Sequence, residues 1–116
     1  RGRVPVLDWL EELEKRDRSA HDTCNRALRR LAALGHELRR PFCDFLRDGI
    51  YELRCRHRRQ QYRLLYFFHG RHIAILAHGL VKESVVPEID IERALIRKLA
   101  FQSNPTLHSY EDPTDA

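Results

Sequence analysis

Between residues 49 and 79 apolar side chains recur at every second position, and turn chemistry interrupts them twice. That period of two constrains the fold more than any other feature of the chain. Asp48-Gly49 reads as a turn opening the first of three strands, expected at about 50–57, 61–69 and 73–79. Gly70-Arg71 reads as a two-residue hairpin loop with glycine first. The first hairpin also sets arginines among its apolar residues, with Glu52 as the one acidic residue between Gly49 and Arg63. Guanidinium groups repeated on one strand face repel unless an anion sits there part of the time, and a phosphate backbone suits that role.

The alternation sets an expected register. With Gly70 and Arg71 as the loop, His69 faces His72, Phe68 faces Ile73, Tyr66 faces Ile75 and Leu64 faces Ala77, giving one apolar core face. On the opposite face Leu65 meets Leu76 and Arg63 meets His78. In the first hairpin, Leu53 opposite Leu64 and Tyr51 opposite Tyr66 puts Arg54 opposite Arg63. Arg54, Arg63 and His78 are thus expected in a row across three strands, with Glu52 and Arg56 beside Arg54. A one-residue slip would bury Arg63. The functional reading is a phosphate site with Arg54 and Arg63 as clamps. The plain alternative is that Glu52 or Asp48 neutralises one arginine while the others reach water.

Helical spacing frames these strands. Pro5 suits a first helical position, and Val6, Trp9, Leu10 and Leu13 recur at helical spacing to about Arg16. Ser19 or Asp22 is the expected cap of a second helix striped by Cys24, Ala27, Leu28, Leu31 and Leu34 and ended by Gly35. Its basic outer face, Arg26, Arg29 and Arg30, reads as solvated surface. Pro41 makes 38–46 a connecting or edge strand. A loop over 81–87 closes at Pro87, and a last helix is expected over about 88–101. One domain, 1–102, is expected, with a mobile polar tail over 103–116.

Composition adds little until the kind of base is considered. Of 116 residues 42% are hydrophobic and 33% charged, and 21 basic against 17 acidic residues give +4, a mild excess. Only Lys15, Lys82 and Lys98 are lysines, and arginine is the better bidentate partner for phosphate, although a GC-rich genome favours arginine as well. Cys24, Cys43 and Cys55 are odd in number and widely spaced, which argues against a disulfide framework or a zinc site and for a reducing cytoplasm. No apolar run reaches membrane-span length, and no signal peptide is expected. A chain opening Arg-Gly-Arg, with no methionine anywhere, is expected to lack its native start.

Several segments in order carry a family resemblance: Pro5-Val6-Leu7-Asp8-Trp9-Leu10-Glu11-Glu12-Leu13, Gly35-x-x-Leu38-x-x-Pro41, and Leu46-x-Asp48-Gly49-Ile50-Tyr51-Glu52-Leu53-Arg54. Tyr62-Arg63-Leu64-Leu65-Tyr66-Phe67-Phe68, His78-Gly79-Leu80-x-Lys82 and Pro87-Glu88-Ile89 follow. From about residue 3 to 100 the chain resembles the phage-derived HigB-like toxins of the RelE/ParE superfamily. The resemblance implies an α+β domain: a helical hairpin on a small twisted antiparallel sheet whose other face is a basic groove, plus a C-terminal helix. It implies the toxin of a type II toxin–antitoxin pair, a ribosome-dependent mRNA endoribonuclease in which the ribose 2′-hydroxyl attacks the adjacent phosphate. No metal or cofactor is implied. The implied partners are a helix-turn-helix antitoxin, the ribosome and mRNA, and no membrane.

Carried over by position, the resemblance makes Arg63 the first phosphate clamp, Arg54 the second and Lys82 the third. Arg56, Arg58 and Arg59 read as docking charges for ribosomal RNA. His78 is the candidate for proton transfer, with a suitable ordinary pKa; Glu52 is a base or, as preferred, the counter-ion of Arg54. His69 and His72 read as a surface pair, Trp9 as core, and Tyr62 as core-facing but near enough to the strand end to stack on a base. Relatives often carry paired lysines where this chain has Lys82-Glu83. They also begin with a strand that is missing here, so an exposed sheet edge is expected, open to a partner or a second copy. Two other readings compete: a non-enzymatic gyrase inhibitor on the same scaffold, and an incomplete toxin that only binds antitoxin or RNA.

Overall fold

Proline at the first helical position has a φ already suited to a helix and gives up an N–H that the first turn cannot use. In the computed structural model, which describes residues 4–82 and 84–105, helix α1 accordingly spans Pro5–Arg16. Asp17 then joins two helices without a linker. Its N–H bonds to the Leu13 carbonyl at 2.7 Å, and its side chain accepts from the Ala20 N–H at 3.1 Å to cap α2, Arg18–Leu34. The cap is therefore Asp17 rather than Ser19 or Asp22, because α2 begins at the residue after it. Gly35, at φ 53°, ends α2, and a single 3₁₀ turn follows.

Four strands come next: β1 Cys43–Arg47, β2 Ile50–His57, β3 Gln60–His69 and β4 Ile73–Val81. They form one antiparallel sheet in the order β1-β2-β3-β4, so β1 is the edge strand expected after Pro41. Helix α3, Glu88–Ser103, closes the described chain, two residues longer than expected. The expected tail beyond residue 105 lies outside the described residues.

Both sheet faces are buried. The α1–α2 hairpin covers one, packing Leu13, Cys24 and Leu31 against Leu53, Leu64 and Tyr66. Helix α3 covers much of the other, packing Ile91, Ala94 and Phe101 against Ile50, Leu65 and Phe67. Six consecutive β3 residues, Tyr62 to Phe67, are buried for this reason, as in strands covered on both sides. Each fully buried leucine or phenylalanine contributes about 1.5–3 kcal/mol. The three cysteines are free and lie in the hairpin-side core. Trp9 packs on that core, and Tyr62 is buried beside it, edge to face at 6.4 Å.

The second hairpin departs from the expected register. Its loop holds three residues, 70–72, and His69 pairs with Ile73 rather than His72. Tyr66 therefore faces Leu76, and Phe68 faces Ala74. A bulge then leaves Ala77 as the extra residue, after which Leu65 faces His78, Leu64 faces Gly79 and Arg63 faces Leu80. The expected pairing of Arg63 with His78 does not form. Alternation could not fix this register because α3 makes the second face apolar as well. For the same reason that face is not an open basic groove along its whole length.

Candidate functional site

Arg54 and Arg63 do face each other across β2 and β3. Like charges so placed repel, and the fold answers with Glu52 on the same face, only 3% exposed. One carboxylate oxygen accepts from Arg63 Nη1 at 2.6 Å. The other accepts from Arg54, with Nε at 3.0 Å and Nη2 at 2.8 Å. Asp44, opposite Glu52 on β1, accepts from Arg54 Nη2 at 3.3 Å and pairs with Arg40 at 3.0 Å. Burial opposes ionisation of Asp44, but hydrogen bonds from Arg40 and the Phe45 N–H, with the charges of Arg40 and Arg54, hold its carboxyl below its ordinary value. Arg54 itself stays one-third exposed, at 33%.

Arg63 is more deeply committed. It is 7% exposed, and beyond Glu52 it donates from Nε to the Lys82 carbonyl and from Nη2 to the Ser84 carbonyl, both at 2.9 Å. With Leu80 opposite Arg63, the chain leaving β4 runs past the guanidinium and is tied to it. The Lys82 N–H also bonds to the Gln61 carbonyl at 3.0 Å, while Lys82 as a residue is exposed. Glu52, Arg54 and Arg63 thus form one cluster at this end of the sheet, with the backbone of the exposed Lys82 tied to it. Glu83 lies outside the described residues.

His78 does not join that cluster. It points to α3, where Nε2 lies 2.6 Å from Asp90 Oδ1 and Nδ1 lies 2.9 Å from Arg97 Nη1. Arg97 can only donate, so Nδ1 accepts and the ring proton sits on Nε2, facing Asp90. Burial, with the charges of Arg97 and Arg93, outweighs Asp90 and holds the His78 pKa below its ordinary value. A depressed histidine pKa contributes stability that is present above about pH 6.5 and lost as pH falls toward the folded-state value. The packing of α3 should therefore weaken below about pH 6.5. His78→Gln should flatten that part of a stability–pH curve measured by urea unfolding, and an unchanged curve would contradict this assignment.

Arg58 and Arg59 lie exposed in the β2–β3 turn, with Arg58 at φ 56°, and Arg56 is exposed just before it. His69 and His72 are exposed around the second hairpin loop, and His69 meets the edge of Phe101. Sequence reasoning missed Asp44 and Arg40, although two arginines sharing Glu52 already called for a second carboxylate. It also missed Asp90 and Arg97, for which no sequence signal tied α3 to His78.

A four-stranded antiparallel sheet between a helical hairpin and a C-terminal helix, with an arginine–carboxylate cluster at one end, defines a small α+β domain with a basic site. A family profile described as Phage derived protein Gp49-like (DUF891) matches residues 8–99. The chain belongs to that family. A search of curated proteins returns no match. Among the described residues no helix is long and apolar enough to cross a membrane.

Proposed function

We propose that this chain is a HigB-like toxin of a type II toxin–antitoxin pair, a ribosome-dependent endoribonuclease that cuts mRNA and is neutralised by a helix-turn-helix antitoxin. The observation that carries this reading is the Arg54–Glu52–Arg63 cluster beside Lys82, in a chain of the Gp49-like family. Arg54 and the Lys82 ammonium contact the scissile phosphate. Arg63, held by Glu52, positions the Lys82 backbone. The ribose 2′-oxygen bonds to the adjacent phosphorus as its proton passes to water, the P–O5′ bond breaks to leave a 2′,3′-cyclic phosphate, the departing 5′-oxygen takes a proton from water, and the cations stabilise the extra negative charge between those events. Arginines hold both oxygens of Glu52 and α3 holds both nitrogens of His78, so charge stabilisation carries more of the rate than a dedicated base. His78 then acts as a positioning residue for α3, and its release from Asp90 is what a proton-transfer role would require.

One observation favours the non-enzymatic alternative: the Arg63 guanidinium is engaged inside the fold from all three nitrogens. Mapping mRNA ends after adding the protein to a translating extract separates the two. Discrete cuts are expected, reduced about 100-fold by Arg54→Ala, the low end of the range for losing one charge-stabilising donor because the site is partly exposed. Intact transcripts with the unsubstituted protein would sink the nuclease reading, and cuts on free RNA would remove the ribosome from it.

A further inference from the structure

Strand β1 stops pairing at Cys43, opposite Leu53, so β2 runs on past it toward α2. The gap is a cleft of about 420 Å³ with Arg26 and Arg30 from α2 on one wall and Arg54 and Arg56 from β2 on the other. Four arginines line it and none of the lining residues is acidic, although the Arg54 guanidinium is itself held by Glu52 and Asp44. The Arg30 guanidinium lies over the Phe42 ring, 4.1 Å from its centroid, making a flat cationic surface at the mouth. Arg54 lines the cleft and also binds Glu52, so the cleft adjoins the Arg54–Glu52–Arg63 cluster. Arg26 and Arg30 are one helical turn apart, about 5–6 Å between Cβ atoms, on the scale of neighbouring phosphates in an extended strand.

We infer that this cleft is a second binding site, one that holds the phosphate backbone of single-stranded RNA beside the cluster. Arg26, Arg30 and Arg56 contact phosphates flanking the one bound at Arg54, and the Arg30–Phe42 surface supports a base. The inference rests on the RNA reading above for its ligand but not on cleavage. An RNA strand fits better than an acidic peptide because a stacked planar surface, the Arg30 guanidinium over the Phe42 ring, marks the entrance beside the arginines and suits a base.

The test is the salt dependence of binding to a fluorescent single-stranded RNA of about a dozen nucleotides. Arg26→Ala/Arg30→Ala is compared with Arg18→Ala/Arg29→Ala, which removes the same net charge from exposed α2 positions outside the cleft. The cleft variant should bind about tenfold more weakly at moderate salt and lose about 1.4 from the slope of log affinity against log salt, two phosphate contacts at roughly 0.7 each. The control should bind nearly as the unsubstituted protein does. Equal losses in both variants, no loss in either, or no RNA binding by the unsubstituted protein would overturn the inference. Polyglutamate binding as tightly as RNA, with the same dependence on Arg26 and Arg30, would also overturn it in favour of an acidic protein partner. Altered RNA binding with intact transcripts in the extract would leave the cleft standing and remove the nuclease. Cleavage with unaltered binding would do the reverse.

Discussion

Glu52→Ala should cost about 3–5 kcal/mol of stability, the usual range for removing one partner of a buried ion pair. The reason lies in what stays behind. Arg63 remains buried with its Nη1 donor facing the space Glu52 occupied, and Arg54 remains directly opposite it across the strands. Asp44 compensates Arg54 only in part, and the Lys82 and Ser84 carbonyls that also accept from Arg63 carry no charge to replace the carboxylate. For a chain of 116 residues each kcal/mol moves the thermal midpoint by about 4 °C, so a fall on the order of 10–20 °C is expected in a melting curve. Glu52→Leu/Arg63→Met should be less destabilised than Glu52→Ala alone, because it removes the buried charge with its partner. A double variant as unstable as the sum of both single losses would show that the pair does not act as a unit.

The elements of this fold were legible because each rests on a local cause. Pro5, Gly35, Asp48-Gly49 and Pro87 mark boundaries by backbone chemistry, and the starts of α1, β2 and α3 and the end of α2 follow from them. The pairing of Arg54 with Arg63 was legible for a similar reason, since a short connection and alternation jointly set that register. The β4 register was not, because choosing between slips by hydrophobic pattern requires one polar face. Helix α3 removes that asymmetry, and a three-residue loop with a bulge at Ala77 becomes as compatible with the pattern as a two-residue loop. The site divided along the same line. Glu52 as counter-ion follows from two opposed arginines, whereas burial of Arg63 depends on where the chain goes after β4. Arg26 and Arg30 read as ordinary helix surface because only the early end of β1 turns that surface into a cleft wall.

Gly79 gives the packing of α1 on β4 an independent test. It faces Leu64 on the side covered by the helical hairpin, and the Trp9 indole lies flat against its backbone. A Cβ there would sit 2.5 Å from Trp9 Cδ2 and 2.6 Å from Cε3. An indole is rigid, and this one is wedged against Tyr62, so relief requires α1 to shift rather than a side chain to swing. Overpacking of this kind costs about 1–3 kcal/mol. Alanine is worth only about 0.5–1 kcal/mol over glycine within a strand, so the clash wins. Gly79→Ala should therefore destabilise by roughly 2 kcal/mol in urea unfolding, the opposite sign from an unobstructed strand glycine. Trp9→Leu alone should also destabilise, by leaving a void. In the double variant the new methyl group occupies part of that void, so the two losses should fall short of their sum by about 1 kcal/mol or more. Additive losses would mean that Trp9 does not lie on Gly79.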